Sequence, residues 1–134
     1  MFFYLYLCGV LLVTVMPLIS NLPSIFNHPY IGMNLRPYVD LLMQRGNYKV
    51  QIILNIVMMI PFGFLYPLIC KKKLPIVLLS AYLMSLSIEL FQPLISGAWS
   101  SDITDLINNV LGAFLGFIIY KLFSLLFKSK TLET

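Results

Sequence analysis

Hydrophobic residues occupy four long runs along the chain, and polar residues collect between the runs. The runs cover about residues 2–19, 51–70, 74–95 and 103–127. Each is close to the roughly 20 residues that an α-helix needs to cross the hydrocarbon core of a bilayer. The pattern therefore predicts an all-α integral membrane bundle of four transmembrane helices, forming a single domain over residues 1–134.

The connection between the first two runs contains three prolines and also several apolar side chains. Within it, Tyr38, Leu41, Leu42 and Arg45 are spaced so that they share one face of a helix. A short helix lying in the membrane interface satisfies this spacing. We therefore expect such a helix in this first outer loop.

The composition agrees with a membrane protein. Hydrophobic residues make up 60% of the chain, charged residues 10%, and the mean hydropathy is +0.91. A soluble domain carries roughly 25% charged residues. So few charges cannot cover a water-soluble fold of this size. The first run is preceded by no basic residue and lacks a small-residue cleavage pattern, so we expect it to be retained as a helix.

Basic residues at the helix ends predict the orientation. Lys71–Lys73 fill the connection between the second and third runs, and Lys128 and Lys130 follow the fourth. Any four-pass arrangement places these clusters on the same side, and cytoplasmic loops are enriched in lysine and arginine. Both termini are therefore expected in the cytoplasm. Basic residues at helix ends form no nucleic-acid-binding stripe, so no nucleic-acid partner is expected.

Polar side chains inside the predicted spans carry the strongest functional signal. An ionisable group within a membrane costs about 2.5–3.5 kcal/mol on insertion scales and usually faces a partner or a water-filled cavity. Glu89 lies well inside the third run, about 9 Å from its outer end at ~1.5 Å per residue. Ser85, Glu89, Gln92 and Ser96 share one face of that helix. Polar positions at similar depth in the neighbouring runs are Asn55, Asp102, Asp105, Asn108 and Asn109.

These positions predict a polar vestibule that opens to the outside of the cell. Glu89 is expected at its floor and Asp102 and Asp105 near its lip, with Arg36 of the outer loop as the countercharge. A structural interpretation remains open, in which Glu89, Gln92, Asn55 and Asn108 only hold the bundle together. Interhelical polar bonds serve that role at about 0.6 kcal/mol each.

Glycines on two helices predict close helix packing. Gly112 and Gly116 form a pair of small residues four positions apart, which lets another helix approach closely. Gly63 follows Pro61 in the second run, where a proline removes a backbone donor. The partner helix is internal or belongs to a second copy of the chain, so a homo-oligomer is left open.

The motifs that contain these residues resemble the VanZ-like family of small bacterial membrane proteins. Taken together, and in their order along residues 34–116, they are far more specific than any one of them. They are Asn34-Leu35-Arg36-Pro37-Tyr38, Asn55 with Ile60-Pro61-Phe62-Gly63-Phe64, Ile88-Glu89-Leu90-Phe91-Gln92, and Asp102-Ile103-Thr104-Asp105-Leu106 followed by Asn109, Leu111-Gly112 and Gly116. The resemblance singles out Asn55, Glu89, Gln92, Asp102, Asp105 and Asn109 as functional residues.

The sequence departs from the family pattern at two positions. An arginine is usual about three residues before the first aspartate of the last motif, where this chain has Trp99. Thr104 stands where a further acid is common. Arg36 occupies a position that is often apolar in the family. We hypothesise that Arg36 replaces the missing positive charge from across the vestibule.

The resemblance implies a cell-envelope protein that lowers susceptibility to teicoplanin-type glycopeptide antibiotics without altering the ends of the peptidoglycan precursor. We interpret it as a protein without a cofactor and without an assigned catalytic residue. Its expected partners are membrane lipids and a lipoglycopeptide or a lipid-linked cell-wall precursor.

Two other function classes use the same residues. In a metal-assisted membrane enzyme, Glu89 would act as general acid or base while Asp102 and Asp105 hold a divalent cation. The sequence has no evident nucleophile constellation for it and no histidine near the acids. A small proton-coupled exporter would need access from both faces, whereas the polar groups are confined to the predicted outer half.

Overall fold

Five helices form where the sequence has long apolar runs or helical spacing. They are α1 (Phe2–Ser20), α2 (Val39–Met43), α3 (Tyr48–Cys70), α4 (Leu74–Ile95) and α5 (Ile103–Lys130). The structure is a computed structural model and describes residues 2–20, 27, 29–95 and 101–130. Within these ranges there is no strand, and one isolated parallel bridge joins Asn34 to Asp102. The all-α prediction is confirmed.

The lengths of the helices fit a membrane protein. By length and composition, Tyr48–Cys70, Leu74–Leu94 and Ile103–Phe127 can each cross a bilayer. The apolar part of α1 that is described, Phe3–Thr14, is shorter. Three candidate spans are thus present, and the fourth remains a prediction.

Two helices differ in detail from the sequence pattern. Helix α3 begins at Tyr48, one turn before the apolar run, because residues 47–51 already form helical hydrogen bonds. A short helix is present in the predicted region as α2, Val39–Met43, but Tyr38 and Arg45, expected on its face, lie outside it. Its position in a membrane interface stays a prediction.

Helices α3 and α5 make the closest contact in the bundle, because glycines face backbone across it. A Cβ atom at Gly63 would overlap the carbonyl of Ala113, and one at Gly112 or Gly116 would overlap the backbone of Ile56 or Ile60. Only glycine permits this approach. The predicted close packing is thus made between helices of the same chain.

Helix α1 packs against α3 through aromatic side chains and also contacts α4. The ring of Phe3 lies 6.0 Å from the rings of Phe62 and Tyr66, and these two stack at 5.2 Å. The Tyr6 hydroxyl donates to the carbonyl of Met58 at 2.8 Å. The contact is therefore mainly apolar, with a partly buried hydrogen bond from Tyr6 to the backbone of α3.

Helices α3, α4 and α5 run in alternating directions, so three of their ends lie at each end of the bundle. Residues 71–73 join α3 to α4 at one end. The opposite end brings together the start of α3, the end of α4 and the start of α5. Ser96 and Trp99 lie outside the described residues, as do the side chains of Lys128 and Lys130.

Candidate functional site

A cavity of about 490 Å³ lies at the end of the bundle opposite Lys71–Lys73. Its wall is formed by α2, the first turns of α3 and α5, and the end of α4. The lining combines carboxylates, amides and hydroxyls with three leucine or isoleucine side chains. These residues are Tyr38, Asp40, Leu41, Tyr48, Gln51, Ile52, Leu54, Asn55, Gln92, Asp102, Thr104 and Asp105.

Asp102 directly precedes helix α5 and lies in the wall of the cavity. Its Oδ1 accepts a hydrogen bond from the Thr104 backbone N–H at 2.7 Å, as an N-cap residue does. Its Oδ2 accepts one from Asn34 Nδ2 at 2.9 Å. The Asp102 backbone N–H donates to Glu89 Oε2 at 3.0 Å. Asp102 thus joins the segment that precedes α2 to α4 and α5.

Glu89 lies behind this rim, and its side chain does not line the cavity. It is only 1% exposed, and its carboxylate holds the backbone of Asp102. Its own carbonyl accepts a hydrogen bond from the Ser101 hydroxyl. The expected position at the floor of an open vestibule is therefore not where the structure places Glu89.

Residues 29–38, which we call the rim segment, cross the end of the bundle. The Asn34 N–H donates to the Ser101 carbonyl at 2.8 Å, and the Ile103 N–H donates to the Asn34 carbonyl at 3.0 Å. Tyr30 reaches α4, where its hydroxyl donates to the Leu90 carbonyl at 3.4 Å. The rim segment is therefore held to both α4 and α5.

Tyr38 ends the rim segment in a left-handed conformation, with φ 57° and ψ 27°. A bulky residue rarely adopts this conformation, which costs on the order of 1–3 kcal/mol. Two contacts with α5 hold it: its N–H donates to Thr104 Oγ1 at 2.8 Å and its hydroxyl to Asn108 Oδ1 at 3.2 Å. This conformation starts α2, which brings Asp40 to the cavity.

Asp105 and Asp40 face the cavity from α5 and α2. The Asp105 carboxylate accepts a hydrogen bond from the Asn55 side chain of α3, and it is near enough to Asp40 and Asp102 to interact with their charges. No lysine or arginine is among the lining residues. The cavity therefore favours cations over anions.

Asn108 and Asn109 are buried beneath the cavity, each 1% exposed. Asn108 accepts from Tyr38, and Asn109 Nδ2 donates to Ser85 Oγ at 2.8 Å. Within the described part of the chain, Asn108 Nδ2 and Asn109 Oδ1 have no hydrogen-bond partner. Both asparagines link helices or loops, and neither lines the cavity.

The structure brings four of the residues selected from the sequence to the cavity wall: Asn55, Gln92, Asp102 and Asp105. Glu89, Asn108 and Asn109 lie behind it. Arg36 is exposed, and its backbone N–H donates to Asn34 Oδ1 at 3.1 Å. Among the described residues Arg36 forms no ion pair with an acid, so the structure does not bring the expected countercharge to Glu89.

Sequence reasoning missed Asp40, Tyr48 and Thr104 as lining residues. A signal for Asp40 existed, because it is the acid of the outer loop and lies between Tyr38 and Leu41 of the predicted interfacial helix. Tyr48 sits in the extra helical turn that the hydropathy pattern did not include. The lining residues of α2 could not be placed before the rim segment was known.

The acids do not assemble a metal centre in the described residues. No group of three or more histidine, cysteine, aspartate or glutamate side chains there has a geometry that could hold a metal ion. Two of the acids are already engaged, because Asp102 caps α5 and Glu89 holds Asp102. The arrangement therefore gives the metal-assisted interpretation no preformed ligand set.

Comparison with known proteins places these residues in a wider context. The family model described as VanZ/LLP1 matches residues 3–124. The chain is 33% identical to Protein VanZ of Enterococcus faecium over 123 residues, which covers 88% of this chain and 70% of that protein. No solved structure was found to match the chain.

Proposed function

Because this chain belongs to the VanZ/LLP1 family, we propose that it lowers the susceptibility of the cell to teicoplanin-type glycopeptides. Its cavity would do so by binding the polar end of an amphiphilic or lipid-linked molecule at the outer surface of the cell membrane. The observation that carries the proposal is the cavity of about 490 Å³ at one end of three candidate membrane spans.

The lining supports an amphiphilic ligand. Carboxylates and amides stand beside Leu41, Ile52 and Leu54 in the same wall. Sites for small molecules are usually apolar with a few polar groups that fix the orientation of the ligand, and they measure roughly 300–1,000 Å³. A molecule with a polar head and an apolar chain matches both parts of this lining.

The basic residues support an outward-facing cavity in a four-pass protein. Six of the nine lie toward the opposite end of the bundle, namely Lys71–Lys73, Lys121, Lys128 and Lys130. The other three, Arg36, Arg45 and Lys49, precede or begin α3. The positive-inside rule then puts the lysine end and both termini in the cytoplasm. A lipoglycopeptide, a lipid-linked cell-wall precursor and membrane lipids are the molecules that an outer cavity would meet.

The proposed role of the cavity is binding. A bound molecule would be held by hydrogen bonds and charge at the cavity and by apolar contacts at its wall. Interception of the antibiotic, or a change in how it anchors to the membrane, would then lower its effect. No step of this proposal requires a cofactor.

The test is the teicoplanin susceptibility of a Gram-positive host that expresses the chain. Wild type, Asp105→Asn and Glu133→Gln are compared at equal membrane abundance. Asp105→Asn removes a lining carboxylate at constant size, whereas Glu133→Gln removes the same charge from the end of the chain. We expect protection by wild type and Glu133→Gln and its loss in Asp105→Asn.

Two results would contradict the proposal. Failure of the wild type to protect would exclude the antibiotic role. Full protection by Asp105→Asn together with the double variant Asp40→Asn/Asp105→Asn would exclude the cavity as its site. If Asp105→Asn fails to accumulate, the susceptibility of the Asp40→Asn variant decides instead, because the Asp40 side chain is exposed.

A further inference from the structure

The lining of the cavity is negatively charged, whereas the chain as a whole is positively charged. The sequence contains nine basic and five acidic residues, yet the lining has three carboxylates and no basic side chain. Every acid among the described residues is either in this lining or, as Glu89, directly behind it. Like charges collected in one partly dehydrated space repel one another, and a bound cation removes that repulsion.

Asp40 and Asp105 are the carboxylates whose charge remains available to a ligand. Asp102 caps α5, where the partial positive charge of the helix N-terminus offsets its own charge. The Asp40 side chain, by contrast, makes no hydrogen bond to any described residue and is exposed on α2. Asp105 has the neutral Asn55 amide as its neighbour.

Aromatic rings stand beside these acids. Tyr38 and Tyr48 both line the cavity. Lys49 Nζ lies 5.8 Å from the centre of the Tyr48 ring, although Lys49 itself is not part of the lining. Cations are attracted to the faces of aromatic rings. The Tyr48 ring therefore already contacts a cation of the protein, and Tyr38 supplies a second aromatic ring.

A buried contact holds one of these rings in place. Asn108 lies one turn deeper than Thr104 and Asp105 on the same face of α5, behind the cavity wall, and it is 1% exposed. Its Oδ1 accepts a hydrogen bond from the Tyr38 hydroxyl at 3.2 Å. The Tyr38 ring is therefore held at the cavity wall.

The occupant is better matched by an organic cation than by a metal ion. The described acids are not grouped as metal ligands. The cavity is also far larger than a single ion requires, and part of its wall is apolar. An ammonium group attached to a carbon chain uses both kinds of wall.

We propose that the cavity binds an organic ammonium group between Asp40 and Asp105. The apolar part of the same molecule lies against Leu41, Ile52 and Leu54. This inference rests on the proposed function, since it names the chemical class that the proposed site accepts.

The test uses hexylammonium, hexanol and hexanoate as probes of equal chain length. The purified full-length protein is kept in nonionic-detergent micelles, and binding is titrated by ligand-detected NMR against protein-free micelles. We expect hexylammonium to bind more tightly than hexanol, and hexanoate to bind least. The double variant Asp40→Asn/Asp105→Asn should raise the Kd of hexylammonium roughly tenfold or more. Glu133→Gln, which removes one acid elsewhere, should leave it unchanged.

Equal binding of the three probes, preference for hexanoate, or no binding of hexylammonium would each overturn the ammonium assignment. Should Asp105→Asn not fold, Asp40→Asn alone must weaken hexylammonium binding, and its failure to do so has the same meaning. Propylammonium tests the apolar wall. Its shorter chain makes fewer apolar contacts, so the proposal requires that it bind more weakly than hexylammonium.

These outcomes are separable from failure of the antibiotic role. Protection against teicoplanin that depends on Asp105, combined with no preference for hexylammonium, would retain the proposed function and reject its ligand class. Displacement of hexylammonium by teicoplanin would assign the ammonium group to the antibiotic. Displacement by phosphatidylethanolamine in the micelles would assign it to a lipid headgroup.

Discussion

The buried Glu89 carboxylate accepts a hydrogen bond from the backbone of another segment. It is 1% exposed and accepts the Asp102 N–H at 3.0 Å, just where helix α5 begins. The first N–H groups of a helix have no partner within the helix, and a carboxylate is well suited to accept from them. This hydrogen bond therefore holds the start of α5, and with it the position of Asp105 in the cavity wall.

This role makes a prediction for two substitutions at Glu89. Glu89→Leu removes the acceptor and should lower the free energy of unfolding by about 1–3 kcal/mol, because the partly buried Asp102 N–H loses its partner. Glu89→Gln keeps an acceptor oxygen and should lose about 1 kcal/mol. Unfolding in detergent, followed by circular dichroism, measures both, with Glu133→Gln as the control. A Glu89→Leu variant as stable as wild type would show that the contact contributes nothing.

The residue scale is where the sequence predicts least. Asn55, Gln92, Asp102 and Asp105 could be assigned to one depth by counting residues along helices. The direction in which the Glu89 side chain points could not be assigned, because its acceptor role depends on residues 101 and 102, which precede the fourth apolar run. Arg36 shows the same limit: its place in the loop indicated proximity to the acids, whereas the rim segment leaves its side chain exposed.

At the scale of the elements, the α3–α5 contact depends on three glycines. Helices without side chains at the contact approach closely and gain dispersion contacts along their backbones. Sequence spacing was sufficient to find Gly112 and Gly116 as a packing surface. It could not identify α3 as the partner, because that choice depends on the register of Ile56 and Ile60 across the contact.

Gly116→Ala should destabilise the protein, because the new Cβ overlaps the backbone of Ile60 and forces the helices apart. We expect a loss of about 1–3 kcal/mol, in the range of overpacked cores. Gly9→Ala is the matched control in α1, where a Cβ meets no atom within 4 Å. It should be neutral or slightly stabilising. Equal unfolding midpoints for the two variants would contradict the close-packed contact.

For the whole molecule, hydropathy was sufficient to find the candidate spans, since α3, α4 and α5 coincide with apolar runs. Orientation depends on where the basic residues lie, and it has not been tested by the fold itself. The lysine connection and the cavity stand at opposite ends of the bundle. A measurement at these two ends therefore decides the direction of the cavity.

Single cysteines in a background with Cys8→Ala and Cys70→Ala test this orientation. Leu42→Cys reports on the cavity end, where Leu42 is 78% exposed, and Lys72→Cys reports on the lysine connection. A membrane-impermeant maleimide should label Leu42→Cys in intact cells and Lys72→Cys only after permeabilisation. A cysteine inserted after Met1 should behave as Lys72→Cys does if α1 also spans the membrane. The reverse labelling pattern would place the cavity in the cytoplasm.

The bridge between Asn34 and Asp102 has a consequence for biosynthesis. It joins positions 68 residues apart, one made before α3 and the other just before the last helix. Residue 102 must therefore have left the ribosome before the rim can close. Until α5 is in place, Asn34 and Tyr38 of the rim segment lack their hydrogen-bond partners. The cavity is thus an element of the finished protein only, and no partly inserted chain can present it.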